Sequence, residues 1–146
     1  MAKKKKVVSL PLKLIALEQQ GFHLMLKAKI NNKVARLILD TGASKTVFDR
    51  DKIKKYVSNH AFEKNEHLST GLGTDSMESH SVTVKKIVLG TIAIPDFNLV
   101  LLDLNHISRS YELMGLPSID GVLGGDILRS CGAVIDYGKL ELTLKI

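Results

Sequence analysis

The sequence predicts a mainly β domain with a few short helices. Three observations carry that prediction. Apolar and polar residues alternate with the strand period of two over much of the chain. The stretches with helical spacing are short, and glycine or proline ends two of them. Finally, 146 residues with 45% hydrophobic and 25% charged side chains suit one globular domain with a real core.

In chain order, residues 1–20 read as a basic tail and a strand, and residues 21–146 as a single domain. The strand of the first part runs through about 7–17. Phe22, Leu24, Leu26, Ala28 and Ile30 share one face of the next strand, with His23, Met25, Lys27 and Lys29 on the other. Asn31-Asn32-Lys33 tolerates a tight reversal. Val34 to Leu39 then ends in Leu37-Ile38-Leu39, an apolar run that fits a strand buried on both faces. Residues 49–57 suit one or two helical turns with Ile53 and Val57 inward. Further strands are expected at 66–70, 79–89, 91–94 and 97–104. Asn105 is placed to cap a helix through about Met114, stopped by Gly115 and Pro117, and Gly125 to Cys131 suits another, closed by Gly132. Last, Ala133–Asp136 and Leu140–Ile146 read as a hairpin, with Leu140, Leu142, Leu144 and Ile146 on its dry face.

Charge and cysteine count narrow the function classes. The formal charge is +6, but Lys3, Lys4, Lys5 and Lys6 supply four of those charges and leave +2 for the rest. With no aromatic residue interleaved, the run reads as a solvated terminus, and neither a nucleic-acid nor a membrane partner is expected. The same lysines followed by Val7–Leu17 imitate a signal peptide, but Pro11 and Lys13 interrupt the apolar stretch. Together with the lone Cys131, which cannot pair within the chain, this reads as a soluble, cytoplasmic protein.

Two segments carry chemistry. Leu37-Ile38-Leu39-Asp40-Thr41-Gly42-Ala43-Ser44 delivers a carboxylate at the end of a buried strand, onto a loop of small residues whose backbone N–H groups can hold it. Gly42 frees the loop's dihedrals and Thr41 offers a hydroxyl to fix it. Alone, the triplet also suits an Asx-turn, with Asp40 bonding its own backbone. Gly121-Val122-Leu123-Gly124-Gly125-Asp126 follows about 80 residues on, an apolar pair and a glycine before a helix start.

With Ser69-Thr70-Gly71-Leu72-Gly73-Thr74 between them, these segments resemble the retropepsin-like aspartic proteases over roughly residues 20–146. The resemblance implies a closed β-barrel or sandwich, the acid protease fold, with a flap hairpin tipped by Gly71, Leu72 and Gly73. It implies that Asp40 is catalytic, one from each subunit of a homodimer, because the chain supplies a single Asp-Thr-Gly. Asp120 directly precedes a glycine and Asp136-Tyr137-Gly138 has the wrong middle residue, so neither supplies a second motif. Thr41, Gly42 and Gly124 would support the dyad, while Gly42, Ala43, Ser44 and the flap tip would bind an extended peptide. The implied reaction is peptide-bond hydrolysis by a water between two carboxylates that share one proton. The alternative is a silent peptide-binding or dimerisation module on the same fold.

This chain departs from viral members at three places: Gly125-Asp126 where they place a basic residue, Ser44 where they often place an acidic one, and a longer segment at 105–120. That segment is expected to reshape the dimer interface or cover the cleft. Other chemistries find little support. The five histidines form no His-Glu-x-x-His, the Gly-x-Ser-x-Gly elbow is absent, and Ser76 spoils a dinucleotide fingerprint beginning at Gly71. No cofactor or metal is expected. Cys131, Met25 and Met114 read as packing residues.

Overall fold

Alternation in the sequence becomes a ring of strands. The computed structural model describes residues 6–17, 21–58, 62–64 and 80–146. In order, its strands are β1 (Val7–Pro11), β2 (Lys13–Leu17), β3 (Gly21–Ile30), β4 (Lys33–Leu39), β5 (Val47–Asp49), β6 (Phe62–Lys64), β7 (His80–Leu89), β8 (Ile92–Leu102), β9 (Gly121–Leu123), β10 (Val134–Asp136) and β11 (Glu141–Lys145). A single 3₁₀ turn covers Lys52–Lys55, and two helices, α1 (Asn105–Leu113) and α2 (Gly125–Ser130), complete the set. No helix among the described residues is long and apolar enough to cross a membrane.

The larger sheet runs β2-β3-β4-β9-β5-β8-β7-β6, and a pairing of β3 with β7 closes β3, β4, β9, β5, β8 and β7 into a barrel. A two-residue loop turns β3 into β4, with Asn31 and Asn32 both left-handed (φ 47° and 70°) and Ile30 opposite Lys33. That is the primed turn that strand twist favours, and asparagine is among the few side chains that tolerate it. Asn31 then does a second job: its Oδ1 accepts the backbone N–H groups of Lys85 and Lys86, where β7 meets the turn.

The barrel interior is one apolar cluster, to which Leu24, Leu26, Ala28 and Ile30 of β3 and Leu37 and Leu39 of β4 contribute. The opposite face of the same strands builds a second core from Ile15, Met25, Ile38 and Val122 with Leu104, Tyr111 and Ile119. This is why Leu37-Ile38-Leu39 is apolar without alternation: successive residues enter different cores. The 105–120 segment therefore acts first as the lid of that second core. A smaller sheet, β1-β11-β10, closes the barrel through Leu10, Leu142 and Leu144.

Several expectations need correction. The strand through 7–17 is two strands: Val7–Pro11 pairs with β11, the Leu12 N–H extends that register to the Leu140 carbonyl, and from Lys13 the chain pairs with β3 in the other sheet. Conversely, 91–94 and 97–104 form one strand. Pro95 lacks an N–H and Asp96 is left-handed (φ 48°), yet the register with β7 continues past both. The cap of α1 is Leu104, not Asn105. Phe22 and Ile146, expected on dry faces, are 64% and 53% exposed at strand ends. The strand expected at 66–70 lies outside the described residues. Both helices stop as predicted, at Gly115 (φ 71°) and Gly132 (φ 50°). The N–H groups of Leu116 and Ala133 reach back to Tyr111 and Leu128, the Schellman arrangement.

Candidate active site

Asp40 stands where β4 leaves the barrel wall. β9 lies parallel to β4, with Leu39 opposite Leu123, and the Asp40 N–H continues the pairing to the Leu123 carbonyl at 3.1 Å. On its other edge β9 runs antiparallel to β5. The 121–123 segment is thus threaded between the two strands that flank the Asp40 loop. Such close insertion needs a small residue at its start: a Cβ on Gly121 would lie 2.5 Å from the Val47 carbonyl oxygen.

The loop is held from within and from α2. Asp40 Oδ1 accepts the Gly42 N–H at 2.8 Å, and the Asp40 carbonyl accepts the Ala43 N–H at 3.2 Å. This is the Asx-turn that the triplet by itself also suits; Oδ2 bonds no described residue. Gly42, expected to free the loop's dihedrals, does not have a positive φ. It supplies room instead, because a Cβ there would lie 3.2 Å from Asp40 Oδ1. The Gly125 and Asp126 N–H groups then reach across to the carbonyls of Ala43 and Ser44 at 2.7 and 3.1 Å. Gly124 is buried against that junction, with Lys45 O and Ala43 O at 2.5 and 2.8 Å from a hypothetical Cβ.

One polar link was not foreseen. Asp126 accepts the Thr46 N–H at 2.9 Å on Oδ2 and the Thr46 hydroxyl at 2.6 Å on Oδ1, while the Thr46 oxygen accepts the Gly124 N–H at 3.1 Å. Thr46 is 1% exposed, so these bonds are made away from water and are costly to lose. Asp126 thereby ties the second motif to the first. No local sequence signal announces a partnership between residues 80 positions apart.

Asp40 and Thr41 open into a recess of about 260 Å³, lined also by Phe22, His23, Leu24, Ile38, Leu39, Ile135 and Tyr137. Extending the register of β3 with β4 by one step past Leu24 and Leu39 places His23 opposite Asp40. The His23 ring is held through Nδ1 by the Tyr111 hydroxyl at 2.8 Å, so α1 reaches the recess wall indirectly. Burial raises the pKa of that phenol, which keeps it neutral. His23 and Tyr111 were not anticipated at the site either.

Of the residues anticipated there, Asp40, Thr41, Gly42 and Ser44 are exposed, Ala43 is half-buried and Gly124 is buried behind them. Gly71, Leu72 and Gly73 lie outside the described residues. The other aspartates do different work. Asp120 accepts the Arg36 N–H at 2.8 Å, and Asp136 accepts the Lys139 N–H in the last hairpin. Cys131 is a buried free thiol, and Met25 packs in the second core.

Comparisons with known proteins bear on the family and the fold. A family model described as aspartyl protease matches residues 26–127. No curated protein sequence matches the chain. A retropepsin-like aspartic protease from Rickettsia conorii superposes with a TM-score of 0.62 at 20% identity, covering 99% of this chain and 96% of that one. The retroviral protease-like domain of Ddi1 from Leishmania major gives 0.53 at 15% identity, over 84% of this chain and 87% of its own. EIAV protease, solved with the inhibitor HBY-793, gives 0.55 at 20% identity, over 77% and 91%. At these identities the superpositions speak for the fold, which is retropepsin-like.

Proposed function

The chain belongs to the aspartyl protease family, and from that premise we propose that it is an endopeptidase working as a homodimer, with one Asp40 from each subunit. The observation that carries the reading is the state of Asp40. Its main chain is fixed by β9 and its Oδ1 by the Gly42 N–H, while the residue lines the recess and Oδ2 has no hydrogen-bond partner among the described residues. A carboxylate so placed is held still and left one free oxygen, as a dyad requires.

Two such groups a few ångströms apart ionise in turn, so the pair holds one proton at its working pH, and the two apparent pKa values belong to the pair. The ionised oxygen draws a proton from a water between them as that water attacks the peptide carbonyl carbon. The protonated oxygen donates to the carbonyl oxygen, and the proton passes on to the leaving nitrogen as the C–N bond breaks. Thr41 and Gly42, exposed at the loop, are assigned to the contact between subunits and to substrate backbone, together with Ala43 and Ser44. Gly71, Leu72 and Gly73 are assigned to the cover that excludes bulk water. We place the protein in the cytoplasm, where the unpaired Cys131 stays reduced.

The test is cleavage of a peptide mixture between about pH 3 and 8, comparing wild type with Asp40→Asn at matched concentration. Cleavage is expected to vanish in the variant, and in wild type to rise faster than linearly with concentration while the dimer is partly dissociated. A folded dimer that cuts nothing at any pH would refute the reading and leave a peptide-binding module.

A further inference from the structure

Outside the Lys3–Lys6 run the chain carries a net charge of only +2, yet folding gathers lysines from three separate segments at one end of the barrel. A recess of about 390 Å³ lies there, between the β3–β4 turn, the end of the 3₁₀ turn and the middle of β7. Lys85 and Lys86 line it together with Asn32, Tyr56, Ser58 and Thr83, and no carboxylate stands among its described lining residues. Lys33, next to Asn32, extends its ammonium 2.6 Å to the carbonyl of Lys55, next to Tyr56, so two further lysines belong to the same end.

Two successive lysines line one recess because β7 changes phase between them. Val82 and Val84 are buried in the barrel, and so are Ile87 and Leu89, so the inward positions step by three between 84 and 87. In a regular strand successive N–H groups point to opposite edges. Those of Lys85 and Lys86 both reach Asn31 Oδ1, at 3.0 and 3.3 Å. Across the hairpin, Asp96 is left-handed at the same level. Ordinary alternation would turn one of the two lysines into the barrel; the irregularity keeps both out of it. Neither ammonium is neutralised. Asp96 stands opposite Lys85 without an ion pair, Asp120 accepts the Arg36 N–H, and the single ion pair among the described residues joins Arg50 to Asp103. Like charges gathered in this way repel one another, which a bound anion relieves.

We propose that this recess binds a small phosphate compound carrying several negative charges. Its volume falls in the range of small-ligand pockets. Lysine meets phosphate as a point charge, whereas planar carboxylates favour the arginine fork, and no arginine lines the recess. Neutral donors complete the set: the Asn32 amide, the Ser58 hydroxyl, and the Thr83 hydroxyl, which accepts the Asn98 amide at 3.2 Å and keeps its own proton to donate. The site is separate from the Asp40 recess. β3 runs from Phe22 and His23 on that recess to the turn at Asn31, roughly 25 Å of strand.

Isothermal titration calorimetry of the full chain with inorganic triphosphate at low salt is the test. One triphosphate per chain is expected, and Lys85→Gln and Lys86→Gln are each expected to weaken it about tenfold. Lys139→Gln removes the same charge from an exposed position in the last hairpin and is expected to change nothing. A triglutamate peptide is expected to bind about tenfold more weakly than triphosphate. Absence of binding, undiminished binding in the Lys85→Gln/Lys86→Gln double variant, or equal weakening by Lys139→Gln would each overturn the proposal. Triglutamate binding as tightly as triphosphate would overturn it too, since charge alone would then explain the attraction. Asp40→Asn is expected to bind triphosphate as wild type does, so the protease reading and this site stand or fall separately.

Discussion

Gly124→Ala tests whether the second motif supports the first by close contact. A methyl group at 124 would meet the Lys45 carbonyl oxygen at 2.5 Å, the Lys45 carbonyl carbon at 2.6 Å and the Ala43 oxygen at 2.8 Å, where ordinary contact begins near 3.4 Å. All three neighbours are backbone and cannot rotate away, so the 43–45 segment would have to retreat by roughly 0.9 Å. The Gly125 and Asp126 N–H bonds to Ala43 and Ser44 span the same gap at 2.7 and 3.1 Å, and both would be stretched. Overpacking of about 1–3 kcal/mol and roughly 1 kcal/mol for weakened hydrogen bonds give a loss of about 2–4 kcal/mol. At this chain length that lowers Tm by about 6–15 °C. Gly125→Ala is the matched control: its Cβ would sit 3.4 Å from Ala43 O in ordinary contact. Differential scanning calorimetry of both variants is the assay. A Gly124→Ala protein that melts within a degree or two of wild type would refute the close-contact account of the second motif.

Two further changes probe groups around the barrel. Thr46→Val keeps the shape of a buried side chain but removes the hydroxyl between Asp126 and the Gly124 N–H. It is expected to cost about 1–3 kcal/mol in urea unfolding, and a midpoint unchanged from wild type would show that the link carries no stability. Burial, and next the negative charge of Asp120, raise the Tyr56 phenol from 10 to about 12. Between those values the folded chain holds a proton that the unfolded chain has released, so stability is full below pH 10 and falls as pH rises toward 12. Tyr56→Phe should flatten that decline relative to wild type, and parallel losses in the two proteins across that window would exclude Tyr56 as its source.

What could be read from the sequence was local or periodic. The β3–β4 turn was legible because few residues other than asparagine and glycine accept two left-handed positions in a row. Both helix stops were legible for a related reason, a glycine placed where φ must be positive. The Leu37-Ile38-Leu39 run announced burial on both faces, though not which segment supplied the second core. The single Asp-Thr-Gly and the later Gly124 were legible as motifs, whereas their physical connection was not. Thr46 and Asp126 are ordinary polar residues whose meaning depends on β9 entering between β4 and β5. His23 looked like the wet face of a strand until α1 brought Tyr111 over it. The break at Leu12 was hidden for the same reason, since it depends on β11, far along the chain, taking Val7–Pro11 into a different sheet from Lys13–Leu17.

The insertion of β9 also sets a clock on the site. Asp40 leaves the ribosome with β3 and β4 already made, but the strand that fixes its main chain and the side chain that anchors its loop come 80 residues later. At about 5–20 residues per second, translation needs roughly 4–16 s to deliver them. During that interval the aspartate sits on a turn with only its own backbone to hold it. Until β9 and Asp126 have been made, the Asp40 loop lacks the main-chain pairing and the Thr46 link that hold it in the folded chain.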